Sequence, residues 1–321
     1  MTKITKVWLI IATSLILVGL IIFGGTMMAL NWDFRKLSTK SFETNSYDIN
    51  EAFKNISVIT NTADIVLKLS ESIATKVVCY EPIKEKHLVS VKDNTLIIEV
   101  VDTRKWYDYI GIDFETPKIT LYLPKGEYGE LSIKGDTGDV EITNDFKFEK
   151  IDISLSTGDV KNLASATQNI NLNTSTGDIY TSDISAGSLS LSVSTGAITL
   201  SDINCVGDVK TKVSTGKTSA TSINCKNFIS NGNTGSISLK GVIAKEKFSV
   251  ERTTGDIKMD KCDAAEILIE TDTGDVTGTL LSDKIFIAKT DTGRTDLPKT
   301  TTGGKCEITT DTGDIKISIT P

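Results

Sequence analysis

The stretch IDISLSTGDVKNLASATQNINLNTSTGDIYTSDISAGSLSLSVSTGAITL, Ile151–Leu200, decides the fold of this chain. It contains three Thr-Gly steps, at Gly158, Gly177 and Gly196, each approached and left by alternating apolar and small polar residues. Read outward in both directions, the step recurs at Gly138, Gly216, Gly235, Gly255, Gly274, Gly293 and Gly313. The ten glycines lie 20, 19, 19, 20, 19, 20, 19, 19 and 20 residues apart. A period that constant is the mark of a repeat architecture in which each unit stacks on its neighbours.

The pattern around each step sets the geometry of one repeat. Seven, five and three residues before the glycine stand Ile151, Ile153 and Leu155, then Leu189, Leu191 and Val193, and later Ile267, Ile269 and Thr271 or Cys306, Ile308 and Thr310. Two and four residues after it stand Val140 and Ile142, Ile198 and Leu200, Ile237 and Leu239, or Ile315 and Ile317. Alternation on both sides reads as one strand entering a corner and another leaving it. A further apolar position, seven residues after the glycine (Ile184, Ile203, Ile223, Val242, Cys262, Leu281), predicts a third short side. The expected fold is all-β: a parallel β-solenoid, or β-helix, of about nine coils of 19–20 residues over 136–321. A single coil cannot bury its apolar face, so stacking supplies the core, each buried aliphatic side chain contributing roughly 1.5–3 kcal/mol.

Ahead of the repeats lies VWLIIATSLILVGLIIFGGTMMAL, Val7–Leu30, 24 residues without a charge. A bilayer core needs about 20, and the run is too long for the 7–15-residue apolar region of a cleaved signal peptide. One transmembrane α-helix over 7–30 is expected, with 1–6 as a short cytoplasmic tail and 31–50 as a linker. Positive charge is nearly balanced across the span: Lys3 and Lys6 precede it, and Arg35, Lys36 and Lys40 follow. A large Ser/Thr-rich β-domain points to an extracytoplasmic C-terminal portion in the cell membrane.

Residues 51–135 read as a β-rich neck capping the first coil. Strand-like runs there are Asn55–Leu69, Thr75–Glu81, His87–Val91, Thr95–Val101 and Lys118–Pro124. Within the first run, NTADI (Asn61–Ile65) resembles a corner with Ala63 in place of glycine, so the repeat begins to show before residue 138. At the far end IKISITP stops, leaving a terminal strand that must tolerate exposure or find a partner.

Composition excludes several functions. There are 42 acidic against 35 basic residues, which argues against a nucleic-acid partner. No phosphate-binding, dinucleotide-binding or nucleophile-elbow motif is present, so no catalytic or cofactor-binding residues are assigned and no cofactor is expected. The five cysteines (Cys79, Cys205, Cys225, Cys262, Cys306) form no CxxC pair, so no zinc site is expected. They read as buried thiols, with Cys205 and Cys225 in adjacent coils and an inter-coil disulfide as the alternative.

Three groups invite a functional reading. Asp follows the corner glycine at Asp139, Asp159, Asp178, Asp256, Asp275 and Asp314. A carboxylate ladder could hold cations, but the calcium-roll consensus is absent and Ala197, Lys217, Ser236 and Arg294 interrupt it. No more than three should stack in a row, each bonded within its own turn. The corner threonines share parity with the inward positions, which favours structural stacking over an ice-binding array. Carboxylate pairs suited to glycoside hydrolysis arise by chance on such a scaffold, and no coil carries an inserted loop, so enzymatic activity is not expected. His87, the only histidine, lies in a charged run (KEKH) and reads as a surface residue. In the neck, RKWYDYIGI concentrates Trp106, Tyr107 and Tyr109 in an aromatic-poor chain. It reads either as a membrane or partner contact or as a plug in which Trp106 closes the solenoid.

Taken together, Pro117–Ile142 (PKITLYLPKGEYGELSIKGDTGDVEI), the serial STGDV and STGDI steps, and Lys289–Ile319 (KTDTGRTDLPKTTTGGKCEITTDTGDIKISI) resemble the bacterial putative-adhesin family of β-strand-repeat proteins, a family of unknown function. The resemblance runs from about residue 50 to the end. It implies a surface-exposed β-solenoid behind a membrane anchor and supplies no enzymatic residues. The function expected is that of a non-enzymatic surface protein with an envelope protein or glycan as partner. Alternatives are an accessory or sensory component of an envelope-stress system and a carbohydrate-active enzyme.

Overall fold

The computed structural model describes residues 2–38, 40–109 and 115–320. Thr2 caps helix α1 (Lys3–Ala29) by accepting a hydrogen bond from the Thr5 amide. At 1.5 Å per residue its 27 residues span about 40 Å, more than the ~30 Å of a hydrocarbon core. Among the described residues it is the one helix long and apolar enough to cross a membrane.

The rest is β-structure. The N-terminal end comprises β1 (Phe42–Ile49), β2 (Asn55–Thr60), β3 (Asp64–Leu69), β4 (Thr75–Pro82), β5 (Glu85–Lys92), β6 (Thr95–Asp102) and β7 (Lys118–Leu123). Next come β8 (Glu127–Thr137), β9 (Val140–Ile142), β10 (Lys147–Thr157), β11 (Val160–Asn162), β12 (Ser165–Thr176) and β13 (Ile179–Thr195). The body continues with β14 (Ile198–Cys205), β15 (Asp208–Thr215), β16 (Thr218–Thr234), β17 (Ile237–Thr254), β18 (Ile257–Cys262), β19 (Glu266–Thr273) and β20 (Val276–Leu280). The far end holds β21 (Lys284–Thr292), β22 (Thr295–Asp296), β23 (Gly304–Thr312) and β24 (Ile315–Ile319).

The strands form a parallel β-solenoid of about ten turns with two walls meeting at the Thr-Gly corner. On the entering wall Ile151 pairs with Ile170, Ile170 with Leu189, and Leu189 with Val209. On the leaving wall Val160 pairs with Ile179 and Ile179 with Ile198. The third short side is present as well, with Ile184 beside Ile203 and Ile203 beside Ile223. All these residues are buried in one continuous aliphatic column. The bend into the third side falls six residues after the corner glycine. There Asp183, Asp202, Ser222, Gly241 and Lys261 take φ of 53–60°. Leu281 does not hold the third-side position, because a register shift puts Leu280 opposite Cys262 instead.

The corners depart from simple alternation. The corner threonines stack in register, but they are exposed. Pairing runs from Leu155↔Thr174 straight to Thr157↔Thr176, passing over the residue between. The strand is already turning there, and the inward parity counted from Ile151 is lost two residues before the glycine.

The neck is not a separate cap. β2 and β3 stack on β8 and β9 with Ala63 at the corner, as a genuine coil. β6 and β7 then stack on the other side of β2 and β3. The first coil in sequence is therefore clamped between two later ones. The sheets run on through β5, antiparallel to β6, and through β4 and β1, antiparallel beyond β7.

The C-terminal end repeats this inversion. β23 pairs with both β19 and β21, and β24 with both β20 and β22. The last strands in sequence are thus the penultimate ones in space. The expectation that IKISITP presents an open edge is overturned; the outermost strands are β21 and β22.

Candidate functional site

The aspartate ladder is a backbone device. The Asp139 amide donates to Asp64 Oδ1 at 3.0 Å, Asp159 to Asp139 at 2.8 Å, Asp178 to Asp159 at 2.7 Å, and Ala197 to Asp178 at 2.7 Å. A second run links Asp256, Asp275 and Asp314 and ends on the Arg294 amide. Each carboxylate thus bonds the next coil rather than its own turn. Because Asp64 joins the first run, four aspartates stack where three were expected.

A second group was invisible to repeat logic. β4 turns Cys79 and Glu81 to the same inner face, and β5 brings His87 back beside them. All three are buried, which corrects the surface placement of His87. Within KEKH, β5 alternates: Lys86 faces solvent, while Glu85 and His87 face in. His87 Nδ1 lies 2.7 Å from Glu81 Oε2, and the His87 amide donates to the same oxygen at 2.7 Å. Its Nε2 lies 3.0 Å from Thr60 Oγ1. Asn45 Nδ2 donates to Glu81 Oε1 at 2.7 Å. Burial pushes the Glu81 carboxyl up, but hydrogen bonds from His87 and Asn45 outweigh it and leave it below its ordinary value. Burial, then the Glu81 charge, push the Cys79 thiol up to about 12. Beside this cluster, buried Glu85 pairs with Arg104 at 2.7 Å and accepts from Asn61 at 3.0 Å. The first corner, at Thr60 and Asn61, is thereby tied to the β4–β5 hairpin. The alternating Cys-x-Glu of β4 was the one sequence signal for this group.

The other cysteines are buried free thiols, and Cys205 and Cys225 form no disulfide.

The aromatic loop lies on the outside. Trp106 is 77% exposed and Tyr107 48%, so Trp106 does not plug the solenoid. The two rings meet edge to face at 5.8 Å, and Lys84 and Lys105 approach the Tyr107 ring at 5.9 and 6.0 Å. Lys84 also pairs with Asp108 at 2.5 Å, and a hydrogen bond from Lys84 holds the Asp108 carboxyl below its ordinary value. Lys84, Tyr107 and Asp108 border a groove of about 270 Å³ with Lys40, Pro82 and Arg104. The Tyr109 side chain and residues 110–114 of this stretch lie outside the described residues.

Compared with known proteins, the chain matches the family model described as Toastrack DUF4097 over residues 53–212 and 204–321. No curated protein matches it. Among solved structures, a "putative adhesin" from Bacteroides fragilis is 18% identical with a TM-score of 0.40, covering 87% of this chain and 98% of that one. A "putative lipid binding protein" from Parabacteroides distasonis is 20% identical with a TM-score of 0.43, covering 75% of this chain and 95% of the other. A "putative adhesin" from Parabacteroides merdae is 12% identical with a TM-score of 0.38, covering 87% and 97%.

Proposed function

The chain belongs to the Toastrack DUF4097 family, and from that premise we propose that it is a non-enzymatic surface protein whose solenoid wall binds an extended partner outside the membrane. Helix α1 anchors it, with the N-terminus inside and the solenoid outside. The observation that carries this reading is a straight row of outward polar side chains along the entering wall. It runs from Ser154 through Asn173, Ser192, Lys212, Asn231 and Glu251 to Glu270, one residue per coil in continuous register. Adjacent members stand one strand spacing apart, about 4.8 Å. A rigid file of donors and acceptors at that interval suits a polymer such as a glycan or an extended peptide. It needs no cleft and no reacting group.

The full-length chain in detergent micelles, applied to glycan arrays and to cell-adhesion assays, tests this. Binding that is lost when Asn173 and Asn231 are both changed to Glu supports the wall. Turnover of a polysaccharide, abolished by one carboxylate substitution, overturns the non-enzymatic reading.

A second reading, an accessory or sensory role in an envelope-stress system, is favoured by the exposed Trp106–Tyr107 pair and the groove that Tyr107 borders. Lys40, which borders it, follows the end of α1 by only 11 residues. A membrane partner held there would crosslink from position 107 and be released by Trp106→Ala.

A further inference from the structure

We propose that Cys79, Glu81 and His87 form a zinc-class metal site that staples the β4–β5 hairpin into the capped end of the solenoid. The Sγ, carboxylate and imidazole donor atoms all lie within 4.8 Å of one another. Tetrahedral zinc, with bonds of about 2.0–2.3 Å, places such donors roughly 3.4–3.6 Å apart. Side-chain rotation has to part His87 Nδ1 and Glu81 Oε2, now 2.7 Å apart, and close any wider gap to Cys79 Sγ. Thiolate, imidazole and carboxylate are the donor types zinc selects.

Two further observations favour a metal. First, the outer atoms of two donors are already held. Thr60 Oγ1 engages His87 Nε2 at 3.0 Å, and Asn45 Nδ2 engages Glu81 Oε1 at 2.7 Å. That leaves His87 Nδ1 and Glu81 Oε2 turned toward each other, the arrangement that orients ligating side chains. Second, the Cys79 thiol, like Cys306 but unlike Cys205, Cys225 and Cys262, makes no hydrogen bond among the described residues, and of the two only Cys79 has a carboxylate and an imidazole within reach. On binding through Nδ1, the neutral His87 ring carries its one proton on Nε2, donating to Thr60 Oγ1; the thiol proton leaves to solvent, and a Zn–S bond replaces S–H with no change of oxidation state. A water completes the fourth position.

The site is independent of the binding wall. Its test uses the full-length chain in detergent micelles, purified without chelator, with metal content measured and cobalt(II) substituted for zinc. The expected result is about one zinc per chain, a near-ultraviolet thiolate-to-cobalt absorption band, and a lower Tm after chelation. Cys79→Ser, close in size, should abolish the band while keeping the far-ultraviolet circular dichroism. Cys306→Ser, another buried thiol, should leave the band intact. No bound metal and no band at excess cobalt would overturn the site, as would a band that survives in folded Cys79→Ser.

Discussion

At Gly196 the backbone takes φ +141°, and a Cβ there would be driven into the carbonyl of Gly177 one coil below. Conformational strain of about 1–3 kcal/mol adds to that clash. Ser190 faces solvent six residues earlier, where a substitution moves stability by about 0.5 kcal/mol or less. Gly196→Val should therefore lower the Tm far more than Ser190→Val; equal shifts in the two melts would contradict the corner register. Arg252 is the opposite case, a charged residue inside the column. It is 2% exposed, its side chain lies over Gly232, and its Nε has no partner among the described residues. One guanidinium nitrogen donates to Thr218 Oγ1 at 2.8 Å and more distantly to Ser230 Oγ at 3.5 Å. Two hydroxyl bonds return about 1 kcal/mol each, less than the several kcal/mol of desolvating a cation without a carboxylate. Arg252→Met, which fills the same volume, should raise the Tm. A fall of several degrees would show that the hydroxyl contacts outweigh desolvation.

At the scale of the element, the aspartate ladder works by bonding each corner to the next. Asp178 accepts the Ala197 amide at 2.7 Å, and losing such a cap costs about 1 kcal/mol. Asn keeps the acceptor and removes repulsion between stacked carboxylates. Asp178→Asn should therefore match or exceed the wild-type Tm, while Asp178→Ala falls below it, and added calcium should leave all three unchanged. Equal losses in both variants, together with a calcium-dependent rise in the wild type, would make the ladder a cation site. The bend six residues after the five corners from Gly177 to Gly255 is a second element-level device. Only Gly241 among its residues is glycine, so its left-handed geometry carried no compositional signal.

Across the whole molecule, the inverted end coils take the first and last coils in sequence off the edges. In a simple stack the first and last repeats have one neighbour each and fray. Here β2 and β3 lie between β6–β7 and β8–β9, and β23 and β24 lie between β19–β20 and β21–β22. An open edge still exists at β21, where Ile285 and Ile287 stay about half exposed, but the chain's end is not part of it. Native-state hydrogen exchange follows local opening. Amides of β23 and β24 should be protected like mid-solenoid strands, while β21 and β22 exchange first. Protection that decays steadily toward the C-terminus would instead mean that the coils stack in sequence order.

The ten Thr-Gly steps and their period-two flanks by themselves determined the solenoid, its corners and its core columns, and the uncharged run Val7–Leu30 determined the apolar helix. Those features are local and repeated, and a register recurring every 19 or 20 residues leaves little freedom in how coils meet. The NTADI variant even marked the extra corner at Ala63. Only the tertiary structure decided which coils are neighbours at the two ends, because backbone pairing is nearly indifferent to which chemically similar repeat stacks next. Only it could bring Cys79, Glu81, His87, Thr60 and Asn45 together, since they come from four separate segments and share no period. The exposure of the threonine ladder and of Trp106 was likewise settled by where the chain bends, which alternation cannot report once a strand leaves its wall.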